Sequence, residues 1–263
     1  MKNVLTTVLG LIVAGSVWAQ DGAKKEAEPK KPEEAAAKAG GELTDPKEIL
    51  KKADDACKAL KSVQYVGSFK GVGDAASQVP SAEGTVILEG WGPTGPSKFK
   101  FDVKAQRAGS TDVLEIQAGG DGNRFWVMDK GKKIAYEDLD PAVLGSFTRL
   151  LFPLSMNEYV HTTPFSDEMN GENQELKGTV KVGDEDCYEV SLKYANVPQE
   201  AHWFFSKKDF LPRRADRIRT TQDGKKITTT QVVTKLIVGP KFEKSPYTLE
   251  LPEGFTKSED FAP

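Results

Sequence analysis

The sequence predicts a mainly β domain of the α+β type, built on one antiparallel sheet of about ten strands. Three observations lead there. The apolar residues alternate with polar ones almost throughout Tyr65 to Phe205, and turn residues punctuate that alternation. A helical period appears before the sheet, between Ile49 and Leu60. The segment Leu139–Val160 breaks the alternation and is the most apolar stretch outside the extreme N-terminus.

The chain begins with an export pattern. Lys2 supplies a positive start, Val4 to Val17 is short and mostly apolar, and Val17-Trp18-Ala19 has the small-x-small form of a cleavage site. The apolar run is too short to cross a hydrocarbon core of roughly 30 Å. Residues 1–19 are therefore expected to be removed, leaving a soluble periplasmic protein that starts at Gln20. Gln20 stands where a lipid-anchored protein would need cysteine. An exported protein is away from ATP, NAD and most phosphorylated metabolites, which makes much of the usual enzyme repertoire a poor fit.

Residues 20–43 are Ala, Lys, Glu and Pro in the main, with few residues able to enter a core. Such a segment is expected to remain a solvated tether, because it buries too little apolar surface to offset its ordering entropy. The folded domain is expected over 44–263. Thr44 or Asp45 can cap a helix that Pro46 and Glu48 favour in its first turn. Ile49, Ala53, Ala56, Cys57 and Leu60 form its apolar stripe, with Lys51, Lys52, Asp54, Asp55 and Lys58 assigned to the other face and an end near Ser62.

Strand patterns follow around Tyr65/Phe69, Val86/Leu88, Phe99/Phe101/Val103, Leu114/Ile116 and Phe125/Val127, and again around Val180/Val182, Tyr188/Val190/Leu192 and Trp203/Phe205. Asp223-Gly224 between Arg213–Thr221 and Lys225–Val238 marks a hairpin. The short connections imply antiparallel pairing throughout. Between the two groups of strands, Asp140-Pro141 starts a helix. Pro153 should end it and let another begin near Ser155. A single sheet of this size must cover its apolar face, and the two helical pieces are the natural plugs. A loose plug leaves an apolar groove with a movable lid; a tight one gives an ordinary core.

The remaining residues carry little chemistry. His161 and His202 sit in no nucleophile motif, and His202 shares strand parity with Phe204, as an edge or surface histidine would. Asp184-Glu185-Asp186 lacks the alternation of a calcium loop. A net charge of −3 suggests no nucleic-acid partner. Lys207, Lys208, Arg213, Arg214, Arg217 and Arg219 read as a solvated basic face, with contact to anionic lipid headgroups or an acidic partner as the alternative. Cys57 and Cys187 can be bridged or free in an oxidising compartment; Cys57 lies on the apolar helix face, whereas Cys187 has the parity of Glu189, Ser191 and Lys193 rather than of the core set. No cofactor or metal is expected, and no enzyme activity.

The order of segments resembles the LolA/LolB-like family of periplasmic lipoprotein carriers. The resemblance runs from about Pro46 to Phe255. It rests on the helix leading into Val63–Phe69, the pair Gly84–Leu88 and Pro96–Phe101, and Asp121-Gly122-Asn123-Arg124-Phe125-Trp126-Val127. It also rests on Trp203 followed by Ser206–Arg214 with its Leu211-Pro212, and on the closing Tyr247–Phe255. The resemblance implies an incomplete β-barrel of about ten to eleven strands, with the N-terminal helix and a helical lid at 139–160 on its concave side. It further implies a cavity for a lipoprotein acyl group or similar lipid, lined by Trp91, Phe99, Phe101, Leu114, Ile116, Phe125, Val127 and Trp203 and closed by Leu144, Phe147, Leu150, Leu151, Phe152 and Leu154. A monomer is expected, with a membrane protein as a further partner. Family carriers hold the lid with an arginine on the turn between the second and third strands; here Trp91–Ser97 supplies only Lys98 nearby. The alternative is a sensor or protein-interaction module of the same fold, as in RseB-type regulators.

Overall fold

The computed structural model describes residues 42–73, 76–93, 95–195, 197–221 and 224–258. The leader and nearly all of the tether lie outside the described residues.

The first helix, α1 (Pro46–Lys58), starts as its sequence dictates. Asp45 caps it by accepting the Lys47 backbone N–H at 2.9 Å, and Pro46 occupies the first turn. It ends four residues earlier than expected, at Lys58, because Ser62 already belongs to the first strand. Its buried face also differs from the expected one. Asp54 is only 3 % exposed: it accepts the Phe165 N–H at 3.4 Å and pairs with Lys58 one turn on at 2.5 Å. Ile49, Leu50, Ala53 and Cys57 complete that face, while Ala56 and Leu60 are half-buried.

The sheet runs through β1 (Ser62–Val72), β2 (Ser81–Trp91), β3 (Pro96–Gln106), β4 (Val113–Gly120), β5 (Phe125–Asp129) and β6 (Ile134–Asp138). It resumes with β7 (Glu172–Val182), β8 (Glu185–Lys193), β9 (Gln199–Ser206), β10 (Pro212–Thr220), β11 (Lys226–Val238) and β12 (Thr256–Lys257). The strand order is β12-β6-β5-β4-β3-β2-β1-β11-β10-β9-β8-β7. Two meanders are thus joined by the antiparallel β1–β11 pair, and the result is one open, curved sheet of twelve strands.

The closing segment departs from expectation. Tyr247–Phe255 is irregular rather than a strand, because Pro246 and Pro252 deny it a regular ladder. Leu249 and Phe255 pack against Trp126, Met128 and Ala135 on the outer face, and the Trp126 indole donates to the Tyr247 carbonyl at 2.7 Å. Only Thr256–Lys257 joins the sheet, parallel to β6, so the pairing is not antiparallel throughout.

Side-chain alternation divides the sheet into two faces. Tyr65, Leu88, Phe101, Ile116, Val127, Val190 and Trp203 point into one continuous core on the concave side, with α1 and the chain between β6 and β7. Val182, Cys187 and Phe204 form a small separate cluster on the convex side. Cys57 therefore faces the concave core and Cys187 the convex cluster, and both thiols are free and buried. The sheet stands between them, so the bridge left open by the sequence is not formed.

Candidate functional site

β6 lies near one end of the strand order and β7 is the strand at the other. The chain connecting them has to cross the open side of the sheet, which is why residues 139–171 lie over the concave face. Asp140 caps the first 3-10 turn, Pro141–Phe147, by accepting the Ala142 N–H at 2.8 Å. Gly145, at φ 46° and ψ −133°, breaks that turn, in a conformation that side-chain-bearing residues rarely adopt. A single α-helical turn follows, α2 (Thr148–Leu151), then 3-10 turns at Phe152–Leu154 and Asn157–Tyr159. The expected pair of short helices is thus a string of turns: Gly145 breaks the first, and beyond Pro153 a 3-10 turn stands in place of the second.

The crossing has two halves that are held differently. In the front half, Val143, Leu144, Phe147, Leu150 and Leu151 are buried, and the Phe152 ring lies 5.6 Å from each of Phe99 and Phe101. Its polar bonds are local: Thr148 donates to the Gly145 carbonyl at 2.8 Å. Among the described residues, Pro141–Pro153 makes no hydrogen bond or ion pair to the sheet. Lys98, the basic residue nearest the β2–β3 turn, pairs instead with Glu89 at 2.6 Å.

The back half is tied down. The Tyr65 hydroxyl donates to the Leu154 carbonyl at 2.8 Å and accepts the Met156 N–H at 2.8 Å. The Tyr159 hydroxyl donates to the Pro212 carbonyl. Glu158 pairs with Arg217 at 3.2 Å, and Asp54 receives the Phe165 N–H. The Phe165 ring stands edge-on to Trp203 and Phe205, with centroids 5.2 Å from each. The following helical turn, α3 (Ser166–Met169), buries Glu168 to 5 % exposure, where the Tyr194 hydroxyl donates to it at 2.7 Å. Burial raises the Glu168 carboxyl to about 7 and also raises Glu158, against the pull of Arg217.

Most of the residues singled out by sequence meet here. Leu144, Phe147, Leu150, Leu151 and Phe152 cover Phe99, Phe101, Ile116 and Val127, with Phe125 and Leu114 half-buried against the same core. Leu154 belongs to the anchored half. Trp203 lies beneath Phe165, and Trp91 is half-buried with its ring 4.2 Å from that of His161, so neither belongs with the front half. The hollow implied by the family resemblance is filled by the lid's own side chains: Leu151 and Leu154 are fully buried, as is Phe101 beneath them. Sequence reading missed the anchors Tyr65, Asp54, Tyr159 and Arg217. A buried tyrosine needs a polar partner, which is the one available signal, but it does not say which partner.

The basic run is largely compensated rather than solvated. Arg213 is only 5 % exposed and pairs with Asp209 at 2.7 Å and Glu185 at 3.1 Å; Arg214 pairs with Asp216 at 2.6 Å and lies over the Phe204 ring. His202 is half-buried on the convex face, with Nδ1 2.6 Å from Glu189. Among the described residues no group of His, Cys, Asp and Glu is placed to hold a metal ion, and no helix is long and apolar enough to cross a membrane.

No protein-family model matches the chain, and no curated protein does. Solved structures with a similar trace include LprF from Mycobacterium bovis, at 11% identity, 77% of this chain, 97% of that chain and a TM-score of 0.49. The MucA/MucB complex from Pseudomonas aeruginosa matches at 9% identity, with 78% of this chain, 61% of that chain and a TM-score of 0.43. The LolA superfamily protein NE2245 from Nitrosomonas europaea matches at 14% identity, with 79% of this chain, 99% of that chain and a TM-score of 0.28. What decides the architecture is the sheet itself: open, curved, with both meanders facing one helical covering that joins its two ends. The fold is the incomplete barrel with a helical lid that the sequence leads one to expect. The covering that crosses the concave face is packed shut against it.

Proposed function

We propose that this protein is a non-enzymatic binding protein of the periplasm that holds an acyl chain of a lipoprotein or similar lipid beneath the Pro141–Phe152 segment. The observation that carries this reading is the asymmetry of the crossing. The half over Phe99 and Phe101 is held by apolar packing alone among the described residues, while the half beyond it is fixed through Tyr65, Tyr159, Asp54 and Glu158. Apolar packing is non-directional, so an acyl chain can take the place of lid side chains without leaving a broken hydrogen bond behind.

The magnitudes are compatible with exchange. Exposing Leu144, Phe147, Leu150 and Leu151 costs on the order of 6–12 kcal/mol, and burying an acyl chain of about sixteen carbons recovers about 12 kcal/mol. A near balance of that kind permits both uptake and release. The filled hollow is then the empty, closed form. The test is titration of delipidated protein with cis-parinaric acid or its methyl ester. Saturable fluorescence enhancement is expected, and Phe152→Asp should remove it while the β-sheet circular dichroism is unchanged. Absence of saturable binding of either probe to the wild-type protein would refute the reading.

A further inference from the structure

A cavity of about 290 Å³ opens at the end of the lid, between Pro153 and the loop carrying Val79 and Pro80, with Phe69 as a further apolar wall. Its polar end is formed by Arg217 and Arg219, which share one face of β10 at a spacing of two. Their neighbours in register are neutral: Thr229 stands opposite Arg217, and Gln199 opposite Arg219. No described lining residue is acidic.

The two guanidinium groups are not equivalent. Arg217 is half-buried, pairs with Glu158 from the lid side and lies over the Trp203 ring. Arg219 is exposed, and among the described residues it has no ion-pair or hydrogen-bond partner. The pocket therefore combines an apolar wall with one uncompensated positive charge, whose planar donor fork matches a carboxylate. Its volume accepts a head group and the first part of one chain, not two chains. The wall residue Pro153 directly follows Phe152, whose ring lies on Phe99 and Phe101, so the pocket adjoins the end of the front half of the lid.

Resting on the acyl-binding reading above, we infer that the Arg217–Arg219 pocket is the head-group subsite for a single-chain fatty acid, with Arg219 binding its carboxylate. The ligand is then an amphiphile held at both ends, with its charge at the rim of the sheet and its tail under the lid.

The experiment compares cis-parinaric acid with its uncharged methyl ester on the full exported protein, for wild type, Arg219→Gln and Arg219→Lys. Wild type is expected to favour the acid. Arg219→Gln should lower the acid-to-ester affinity ratio about five- to tenfold, as loss of one partly exposed charged hydrogen bond implies, and Arg219→Lys should restore most of it. Arg219 is exposed, so loss of folding does not confound the ratio. An unchanged ratio in Arg219→Gln, or a wild-type preference for the ester, overturns the head-group subsite while leaving acyl binding intact. Failure of wild type to bind either probe overturns both. Arg219-dependent binding to phosphatidylglycerol vesicles without preference for the free acid would assign the charge to a membrane surface instead, and would equally overturn the inference.

Discussion

Tyr65 on the first strand and Leu154 in the lid are 89 residues apart in sequence, and a single buried hydroxyl joins them. It donates to the Leu154 carbonyl at 2.8 Å and accepts the Met156 N–H at the same distance. The bond marks the point at which the crossing chain stops being held by packing and starts being held by directed polar contacts.

Tyr65→Phe keeps the ring and removes both bonds, leaving a carbonyl and an N–H buried without partners. The expected loss is about 2–4 kcal/mol of stability, read from the midpoint of urea unfolding at unchanged slope. Amide exchange should rise from Met156 to Val160 and stay constant in β3 and β4. Exchange that does not change in the lid would mean that the hydroxyl does not anchor it.

Gly145 is the break in the front half. Its positive φ combined with ψ near −133° is costly for any residue with a Cβ, so Gly145→Ala should destabilise by about 1–3 kcal/mol. If this residue is where the lid bends, the association rate of an acyl probe should fall more than the equilibrium stability alone explains. Stopped-flow uptake compared with an equally destabilised control variant separates the two.

The pH dependence of stability has a definite sign. The Glu168 carboxyl is raised from 4.5 to about 7 by burial, so the folded protein holds that proton more tightly than the unfolded chain. Its contribution to stability is full below about pH 4.5 and is lost as pH rises through 7. The loss amounts to roughly 3 kcal/mol at most. Glu168→Gln can still accept from Tyr194 and should flatten the fall in stability between pH 5 and 8, leaving the smaller slope of the same sign that Glu158 contributes. Thermal unfolding midpoints across that pH range supply the check; identical profiles would contradict the burial argument.

The thiols should behave as independent core groups. Burial pushes Cys187 up to about 11 and raises Cys57 well above the usual thiol range, so neither is a thiolate at neutral pH. Native protein should resist alkylation, denatured protein should take up two labels, and reductant should not alter the melting temperature. A mass lower by two hydrogens, restored by reductant, would place a bond where the sheet now stands.

How much of this is legible in sequence depends on the range of the interaction. Phe99, Phe101 and Val103 announce the concave face because alternation is a local property, and Asp45-Pro46 announces the start of the first helix for the same reason. Asp54 looks like a solvent-facing charge on a helical wheel, because its partner, the Phe165 N–H, lies 111 residues away. Tyr159 and Glu158 are equally opaque: their partners, Pro212 and Arg217, come from a strand the local pattern cannot bring near. The segment from Leu139 to Val160 stands out as a plug by its composition. Its division into a loose and a fixed part rests entirely on such distant bonds. The tail after Tyr247 resembles a strand by its residues, yet Pro246, Pro252 and the apolar patch around Trp126 send it across the outer face instead.

The sheet order has a mechanical corollary. The covering segment is spliced into opposite rims of an open curve, so it works as a bowstring rather than a hinged door. It cannot swing free. Tyr65 also ties it to β1 in the middle of the sheet, so the length that a guest can draw taut is the span from β6 to Leu154. Cutting the chain once within Pro141–Phe152 would uncouple bow from string while leaving the knots from Leu154 onward tied.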